Sequence, residues 1–127
     1  MRNPRQFFEP LAIGAPDPVL EVPFRPSRMI HFFDASNEKM AAKVPDMAKQ
    51  ADILLGNLED AVPVDKKVAA REGLVKVAND VDFGETQLWT RVNSLESPWV
   101  LDDLTTLVTE IGDKLDVIMV PKVEGAW

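Results

Sequence analysis

Four short apolar runs in the sequence each end in ionisable or amide side chains, and these side chains are the candidates for chemistry. Arg91 and Asn93 close one run, and Glu59 with Asp60 follows another. The other two runs end near four more polar residues: His31, Asp34, Lys122 and Glu124. If the runs are parallel strands, all these groups meet at one edge of a sheet, where α/β folds bind their ligands.

Arg91 carries the sharpest functional hypothesis. A guanidinium at the end of a strand can bind a carboxylate through two parallel hydrogen bonds. The two-residue spacing from Asn93 predicts that both side chains lie on one face of the strand. From the sequence alone, a structural ion pair of Arg91 with Glu59 or Asp60 is an equally good interpretation.

The adjacent carboxylates Glu59 and Asp60 suit two chemical roles. Such a pair can bind Mg²⁺ or its water shell, or it can transfer protons as a general acid and base. The alternative is a loop pair that caps the next helix or forms ion pairs with Lys66 and Arg71. Because neighbouring residues of a strand point in opposite directions, only one of the two is expected to face a site.

His31 and Lys39 give weaker signals. A lone histidine in an apolar strand is more often a core residue than a catalyst, and one histidine cannot form a multi-histidine metal site. Lys39 is predicted at a helix start, where it is a solvated side chain unless a bound phosphate lies nearby. For Lys122 and Glu124 the alternative to a site is a local salt bridge.

The apolar runs alternate with helical patterns, which predicts the order arm, β, α, β, α, β, α, β. Strands are predicted over four ranges: 29–33, 53–58, 88–93 and 117–120. The first helix is expected to kink or restart at Pro45. Asp65 is expected to cap the second helix, and Ser97 with Pro98 to start the third. Helical spacing predicts two buried faces, one of Val68, Leu74, Val75 and Ala78, the other of Leu101, Leu104, Val108 and Ile111.

This alternation implies a parallel sheet covered by helices. Two architectures fit it, an open doubly wound sheet and a (β/α)8 barrel, and the pattern does not separate them. No glycine-rich phosphate-binding motif follows the first strand, where the sequence Phe33-Asp34-Ala35-Ser36 stands instead. That difference disfavours a dinucleotide-binding domain.

Length, charge and composition narrow the class of protein. The 127 residues suggest one domain or part of one, and 14 basic against 21 acidic side chains leave no bulk field to attract nucleic acid or an anionic membrane. Cysteine is absent, so disulfides and thiolate sites are excluded. Residues 1–27 hold six of the ten prolines and are predicted to form an extended arm. With no apolar run of signal-peptide or membrane-spanning length, a cytoplasmic location is expected.

Several motifs in series resemble the citrate lyase β-subunit / malyl-CoA lyase family, the HpcH/HpaI aldolases. The resemblance covers essentially the whole chain, and its motifs lie at residues 26–33, 56–62, 91–93 and 118–125. Residues 10–16 and 97–103 resemble the branch that acts on malyl-CoA and β-methylmalyl-CoA. One departure is the short turn Asp34-Ala35-Ser36-Asn37, which lacks the arginine that many relatives carry after the first strand.

The resemblance implies that residues 28–127 are the first half of a (β/α)8 barrel, four parallel strands with three intervening helices. It also implies Mg²⁺ or Mn²⁺, and reversible cleavage of malyl-CoA to acetyl-CoA and glyoxylate or of β-methylmalyl-CoA to propionyl-CoA and glyoxylate. A homo-oligomer, trimeric or hexameric, is expected. The alternatives are a citryl-CoA or citramalyl-CoA lyase, or a truncated half-barrel that associates without catalysis.

The family's site roles carry over residue by residue. Arg91 matches the arginine that binds substrate near the thioester and carboxylate. Glu59 and Asp60 match the acidic motif that supports the metal and its waters, while the direct metal ligands are expected beyond Trp127. The region that holds the CoA portion matches three residues: His31, Phe32 and Lys39.

Overall fold

A computed structural model describes residues 25–125 of the chain. Its strands are β1 (Ile30–Phe33), β2 (Ile53–Asn57), β3 (Gln87–Arg91) and β4 (Val117–Met119). Its helices are α1 (Glu38–Ala41), α2 (Val44–Met47), α3 (Lys67–Asp80) and α4 (Val100–Ile111). The predicted arm lies outside the described residues as far as residue 24, so its conformation stays a prediction.

The four strands form one parallel sheet in the order β1-β2-β3-β4. This arrangement confirms the predicted parallel α/β fold, with each helical connection leading to the adjacent strand. Because the strands are parallel, their ends lie together at one side of the sheet. We call this side the carboxyl edge, and it is marked by Phe33, Asn57, Arg91 and Met119.

One face of the sheet packs against the helices and forms the core. Phe33, Leu54 and Leu88 from the strands are at most 1% exposed, and they share a cluster with Leu74 of α3 and Leu107 of α4. Burying each such side chain contributes roughly 1.5–3 kcal/mol. The core therefore fixes α3 and α4 behind the carboxyl edge. Among residues 25–125, no helix is both long and apolar enough to cross a membrane.

The first crossover confirms the predicted restart at Pro45. Helix α1 is capped by Asn37, whose side-chain oxygen accepts hydrogen bonds from the backbone of Lys39 (3.0 Å) and Met40 (3.3 Å). The chain then begins α2 at Val44, with Pro45 in the first turn. Proline is tolerated there because the amide of a first-turn residue has no partner within the helix.

The start and the buried face of α3 differ from the prediction. Asp65 lies in a short 3-10 turn and provides no side-chain cap for α3. Val68 is 52% exposed, so it does not belong to the core. The buried residues are Lys67, Ala70, Arg71, Leu74, Val77 and Ala78. The prediction is confirmed for Leu74 and Ala78, but the apolar pattern missed Lys67 and Arg71 because it does not count charged residues as buried.

Helix α4 also begins later than predicted, and its buried face matches the prediction at Ile111 but not at Leu101 or Val108. The backbone amide of Ser97 donates to Ser94 O (2.9 Å), so Ser97 belongs to the preceding turn and not to a helix cap. Leu101 is 75% exposed. The buried residues of α4 are Val100, Asp103, Leu107 and Ile111. A buried carboxylate thus shares the apolar face.

At the opposite, amino-terminal side of the sheet, Asp52 links the residues before β1 to the start of β3. Its Oδ2 accepts from the backbone amides of Arg28 (2.9 Å) and Met29 (3.2 Å), and its Oδ1 pairs with the Arg28 guanidinium (3.3 Å). Its own carbonyl accepts from Gln87 N (3.1 Å). The hydrogen bonds from Arg28 hold the pKa of Asp52 below its ordinary value.

Asp52→Asn should therefore destabilise the protein at neutral pH and have little effect in acid. A carboxyl whose pKa is lowered by folding stabilises the native state above its unfolded pKa, about pH 4, and loses this contribution as the pH falls through the folded value. Urea unfolding of both proteins between pH 2.5 and 7 measures the difference. An equal loss of stability at every pH would show that the charge of Asp52 is not responsible.

Gly73 lets α3 approach the loop that follows β1. A Cβ atom at this position would overlap the backbone carbonyl of Ala35. That carbonyl belongs to the segment between β1 and α1, so it cannot rotate away as a side chain could. The close approach of helix and loop therefore requires a residue without a side chain.

Gly73→Ala should lower the free energy of unfolding by about 1–3 kcal/mol, the usual cost of overpacking. The direction of this change is informative, because replacing glycine by alanine in an unobstructed helix interior raises the free energy of unfolding by roughly 0.5–1 kcal/mol. Glu72→Ala, at an exposed neighbouring position of α3, is the control and should stay within about 0.5 kcal/mol of the wild type. A stabilising Gly73→Ala in urea unfolding would contradict the close approach.

Candidate functional site

Arg91 meets the end of β2 at the carboxyl edge. Its Nε donates to Asn57 Oδ1 at 2.9 Å and lies 3.4 Å from Glu59 Oε2. Asn57 and Glu59 are 3% and 5% exposed, whereas the Arg91 side chain keeps 23% of its surface exposed. The ion pair with Glu59 is therefore present. Together with the hydrogen bond to Asn57, this ion pair fixes the guanidinium, which remains partly exposed to solvent.

Lys122 links both carboxylates that follow β2. Its Nζ lies 2.9 Å from Glu59 Oε1 and 2.9 Å from Asp60 Oδ1. Its backbone has φ of 53°, the left-handed region that non-glycine residues rarely adopt. This conformation places the segment after β4 where its lysine reaches across to the residues after β2. Lys122 pairs with these two acids, so the alternative of a local salt bridge with Glu124 does not hold.

The charges of this cluster stabilise one another. The hydrogen bonds to Glu59 and then Asp60 raise the pKa of Lys122. The hydrogen bond that Lys122 donates to Asp60 lowers the pKa of Asp60. Opposite charges within hydrogen-bond distance favour the ionised form of each partner. Lys122 and Asp60 are thus held in their charged states around neutral pH.

Phe32 completes an open platform beside Arg91. The guanidinium carbon of Arg91 lies 5.5 Å from the centre of the Phe32 ring, a cation–π distance. Within residues 25–125 Phe32 is 45% exposed. A planar cation next to an exposed aromatic surface can bind a ligand that carries both an anionic group and apolar atoms.

Four of the six predicted site residues come together, and His31 and Lys39 do not join them. Phe32, Glu59, Asp60 and Arg91 form the cluster just described. His31 lies on the opposite face of β1, lining a shallow cavity of about 560 Å³ with Met47 and Ala51. Lys39 is exposed in the first turn of α1. The CoA-binding roles of His31 and Lys39 stay predictions.

Asn93 belongs to a buried network that the sequence did not reveal. Its backbone N (3.0 Å) and Nδ2 (2.7 Å) both donate to Asp103 Oδ2. The other carboxylate oxygen, Oδ1, accepts from Arg71 Nε at 2.9 Å. Asn93 therefore faces α4, and the expectation that it shares a face with Arg91 is wrong, because the strand ends at Arg91 and the alternation stops there.

The signal that could have found this network is the spacing of α3. Lys67 and Arg71 recur with Ala70 and Leu74 at i, i+3, i+4 and i+7, the period of a buried helical face. A charged residue on such a face needs a buried partner of opposite charge or several hydrogen bonds. Arg71 pairs with Asp103, so the alternative in which it pairs with the acids after β2 does not hold.

The residues of this cluster do not form a metal site as they are arranged. Both carboxylate oxygens of Glu59 already face cationic nitrogens of Arg91 and Lys122. Throughout residues 25–125 there is no group of three or more histidine, cysteine or acidic side chains that could hold a metal ion. Direct metal ligands are thus not assigned to these residues.

The chain belongs to the HpcH/HpaI aldolase/citrate lyase family, whose model matches residues 28–126. This membership confirms the resemblance seen in the sequence motifs. The matched region includes the whole sheet and the complete cluster around Arg91.

Individual relatives carry more specific names. A Malyl-CoA/beta-methylmalyl-CoA/citramalyl-CoA lyase of Chloroflexus aurantiacus is 59% identical over 121 residues, covering 95% of this chain and 35% of the relative. An L-malyl-CoA/beta-methylmalyl-CoA lyase of Cereibacter sphaeroides is 37% identical over 80% of this chain and 31% of its own length. A (3S)-malyl-CoA thioesterase of the same species is 36% identical, over 80% and 34%. The chain spans about a third of the length of these curated relatives.

Asp103→Ala should lower the free energy of unfolding by about 3–5 kcal/mol. The substitution leaves the buried Arg71 guanidinium without its main partner and removes the acceptor of Asn93. Asp102→Ala is the matched control, because the Asp102 side chain is 75% exposed and its contact with Arg71 is weak, with 4.0 Å between Asp102 Oδ2 and Arg71 Nη1. This control should lower the free energy of unfolding by less than about 1 kcal/mol. Equal effects of the two variants in urea unfolding would contradict the buried network.

Proposed function

We propose that the protein is a carbon–carbon lyase of CoA thioesters. It cleaves malyl-CoA to acetyl-CoA and glyoxylate, and β-methylmalyl-CoA to propionyl-CoA and glyoxylate. Family membership and the names of two relatives support this class of reaction. The observation that carries it is the fixed, solvent-reaching guanidinium of Arg91 beside the exposed ring of Phe32.

In this proposal Arg91 binds the carboxylate of the malyl group. Asn57 and Glu59 hold its Nε side, which leaves the outer edge of the fork for a ligand. A guanidinium positioned before the substrate arrives loses little rotational freedom on binding. The neighbouring Phe32 ring offers an apolar contact for the acyl chain.

The proposed reaction breaks the bond between the carbon that bears the hydroxyl and the carbon next to the thioester. The hydroxyl loses its proton and becomes the aldehyde of glyoxylate, while the bonding electrons form the thioester enolate, which is then protonated. A fixed cation near the developing negative charge stabilises this transition state. Glu59 and Asp60 act as supporting groups, because their charges keep Arg91 and Lys122 in place.

We also infer that the four strands are the first half of a (β/α)8 barrel. The strand order supports this, because it follows the chain across the described sheet without the reversal that marks a doubly wound fold. Mg²⁺ or Mn²⁺ belongs to the proposal through the family resemblance, with direct ligands outside residues 25–125. A cytoplasmic homo-oligomer, trimeric or hexameric, remains part of the same prediction.

Thioester hydrolysis is the second candidate function. The (3S)-malyl-CoA thioesterase relative is nearly as similar to this chain as the Cereibacter lyase is, at 36% against 37% identity. The two reactions differ in their products, since hydrolysis releases malate and free CoA while cleavage releases glyoxylate. Citramalyl-CoA, which appears in the name of the Chloroflexus relative, is a further substrate to test.

The full-length protein should release glyoxylate from malyl-CoA, and Arg91→Ala should lower kcat/KM by about 100-fold or more. Arg91→Lys should recover only part of this loss, because an ammonium lacks the planar fork. Arg25→Ala is the control, since Arg25 pairs with Glu85 far from the carboxyl edge, and its activity should equal that of the wild type. Glyoxylate is measured as its phenylhydrazone, and free thiol is measured in parallel.

Three results would overturn the proposal. Release of free CoA without glyoxylate would identify a thioesterase. Normal glyoxylate release by Arg91→Ala would remove Arg91 from the mechanism. Full activity after exhaustive treatment with EDTA would show that the reaction does not need a divalent ion.

A further inference from the structure

Lys67 is a buried lysine that binds backbone instead of an acid. It lies in the first turn of α3 and is 6% exposed. Its Nζ donates to the carbonyl oxygens of Leu58 (2.8 Å) and Glu59 (2.9 Å), two consecutive residues just after β2. The Trp99 ring lies 5.7 Å from the same nitrogen. A buried ammonium of this kind is costly unless its hydrogen bonds are made, so the geometry is well defined.

The backbone that Lys67 holds carries the central carboxylate of the cluster. Leu58 N donates to Arg91 O (2.9 Å), which ties this segment to β3 on its other side. Glu59 N donates to Asn57 Oδ1 (3.1 Å), the same oxygen that accepts from Arg91 Nε. Glu59 is thus fixed from both sides, and its side chain is directed at Arg91 and Lys122.

We propose that Lys67 is a positioning residue for Arg91, which acts by fixing the Leu58 and Glu59 carbonyls so that the Glu59 carboxylate holds the guanidinium. Lys67 does not touch the substrate in this scheme. The kinetic part of the proposal rests on the proposed lyase function, whereas the geometric part does not.

The electrostatics around Lys67 agree with a role in the cluster. Burial lowers the pKa of Lys67, while the charges of Glu59 and Asp103 oppose that effect. Lys67 is therefore close enough to both Glu59 and Asp103 to interact with their charges. A residue that served only to fill the core would need none of these contacts, and methionine would fill the same space.

The test is a double-mutant cycle in the full-length protein. Lys67→Met should lower kcat/KM for malyl-CoA by roughly 100-fold, the loss expected when a binding group is misplaced by about 1 Å. In a Glu59→Gln background the same substitution should lower it by less than about threefold, because its effect passes through Glu59. Lys66→Met, at the exposed neighbouring position, should be fully active. Equal losses in both backgrounds would overturn the proposal.

A second experiment covers the case in which Lys67→Met does not fold. The Lys67→Cys protein is unfolded in urea, alkylated with 2-bromoethylamine to restore an ammonium of nearly the same length, and refolded beside an untreated sample. The 127-residue chain has no cysteine of its own, so within it only position 67 reacts. The reference is wild-type protein that has been unfolded, treated with the same reagent and refolded. If the activity of the alkylated variant returns to within about threefold of this reference, the result supports positioning. Failure to return overturns it.

A crystal structure of the full-length Lys67→Met protein separates the two proposals. If the wild type releases no glyoxylate but Glu59 is displaced from Arg91 in the variant, the lyase function is wrong and the positioning geometry stands. If the wild type is active and the Glu59–Arg91 contact survives the substitution, Lys67 is not a positioning residue.

Discussion

The buried carboxylate of Glu59 is the constraint around which the carboxyl edge is organised. An ionised group that is 5% exposed must be compensated by partners, and both of its oxygens have them. The partners come from β3 and from the segment after β4, so one charge fixes the relative positions of three chain segments. Everything proposed for Arg91 depends on this compensation, because it is what orients the guanidinium.

A second buried carboxylate, Asp103, lies on α4 in the helical layer that covers the sheet. It binds Asn93 after β3 and Arg71 on α3, and thereby joins the sheet to both long helices. Apolar packing alone would leave these helices free to slide by small amounts, since hydrophobic contacts have no direction. The two acids together give the sheet and its helical layer directional contacts, and Lys67 adds hydrogen bonds to the backbone carbonyls of Leu58 and Glu59.

The sequence predicted the order of elements and the meeting of four site residues, because strand ends in a parallel sheet gather at one edge whatever the side chains do. It did not predict which partner each charge takes. Asn93 follows the last residue of β3, where strand alternation no longer determines direction. The helix faces were partly misassigned for a related reason: Lys67, Arg71 and Asp103 are charged residues at buried positions, and hydrophobic periodicity treats them as solvent-facing.

The left-handed Lys122 gives β4 a second attachment to the sheet. Within residues 25–125 its three strand residues pair with β3, and Lys122 reaches past that strand to the acids that follow β2. Separation of β4 from β3 would therefore also break the contacts of Lys122 with Glu59 and Asp60. Dissolved salt weakens partly exposed ion pairs more than backbone pairing, so the attachment that Lys122 gives to β4 depends on ionic strength, whereas the pairing of β4 with β3 does not.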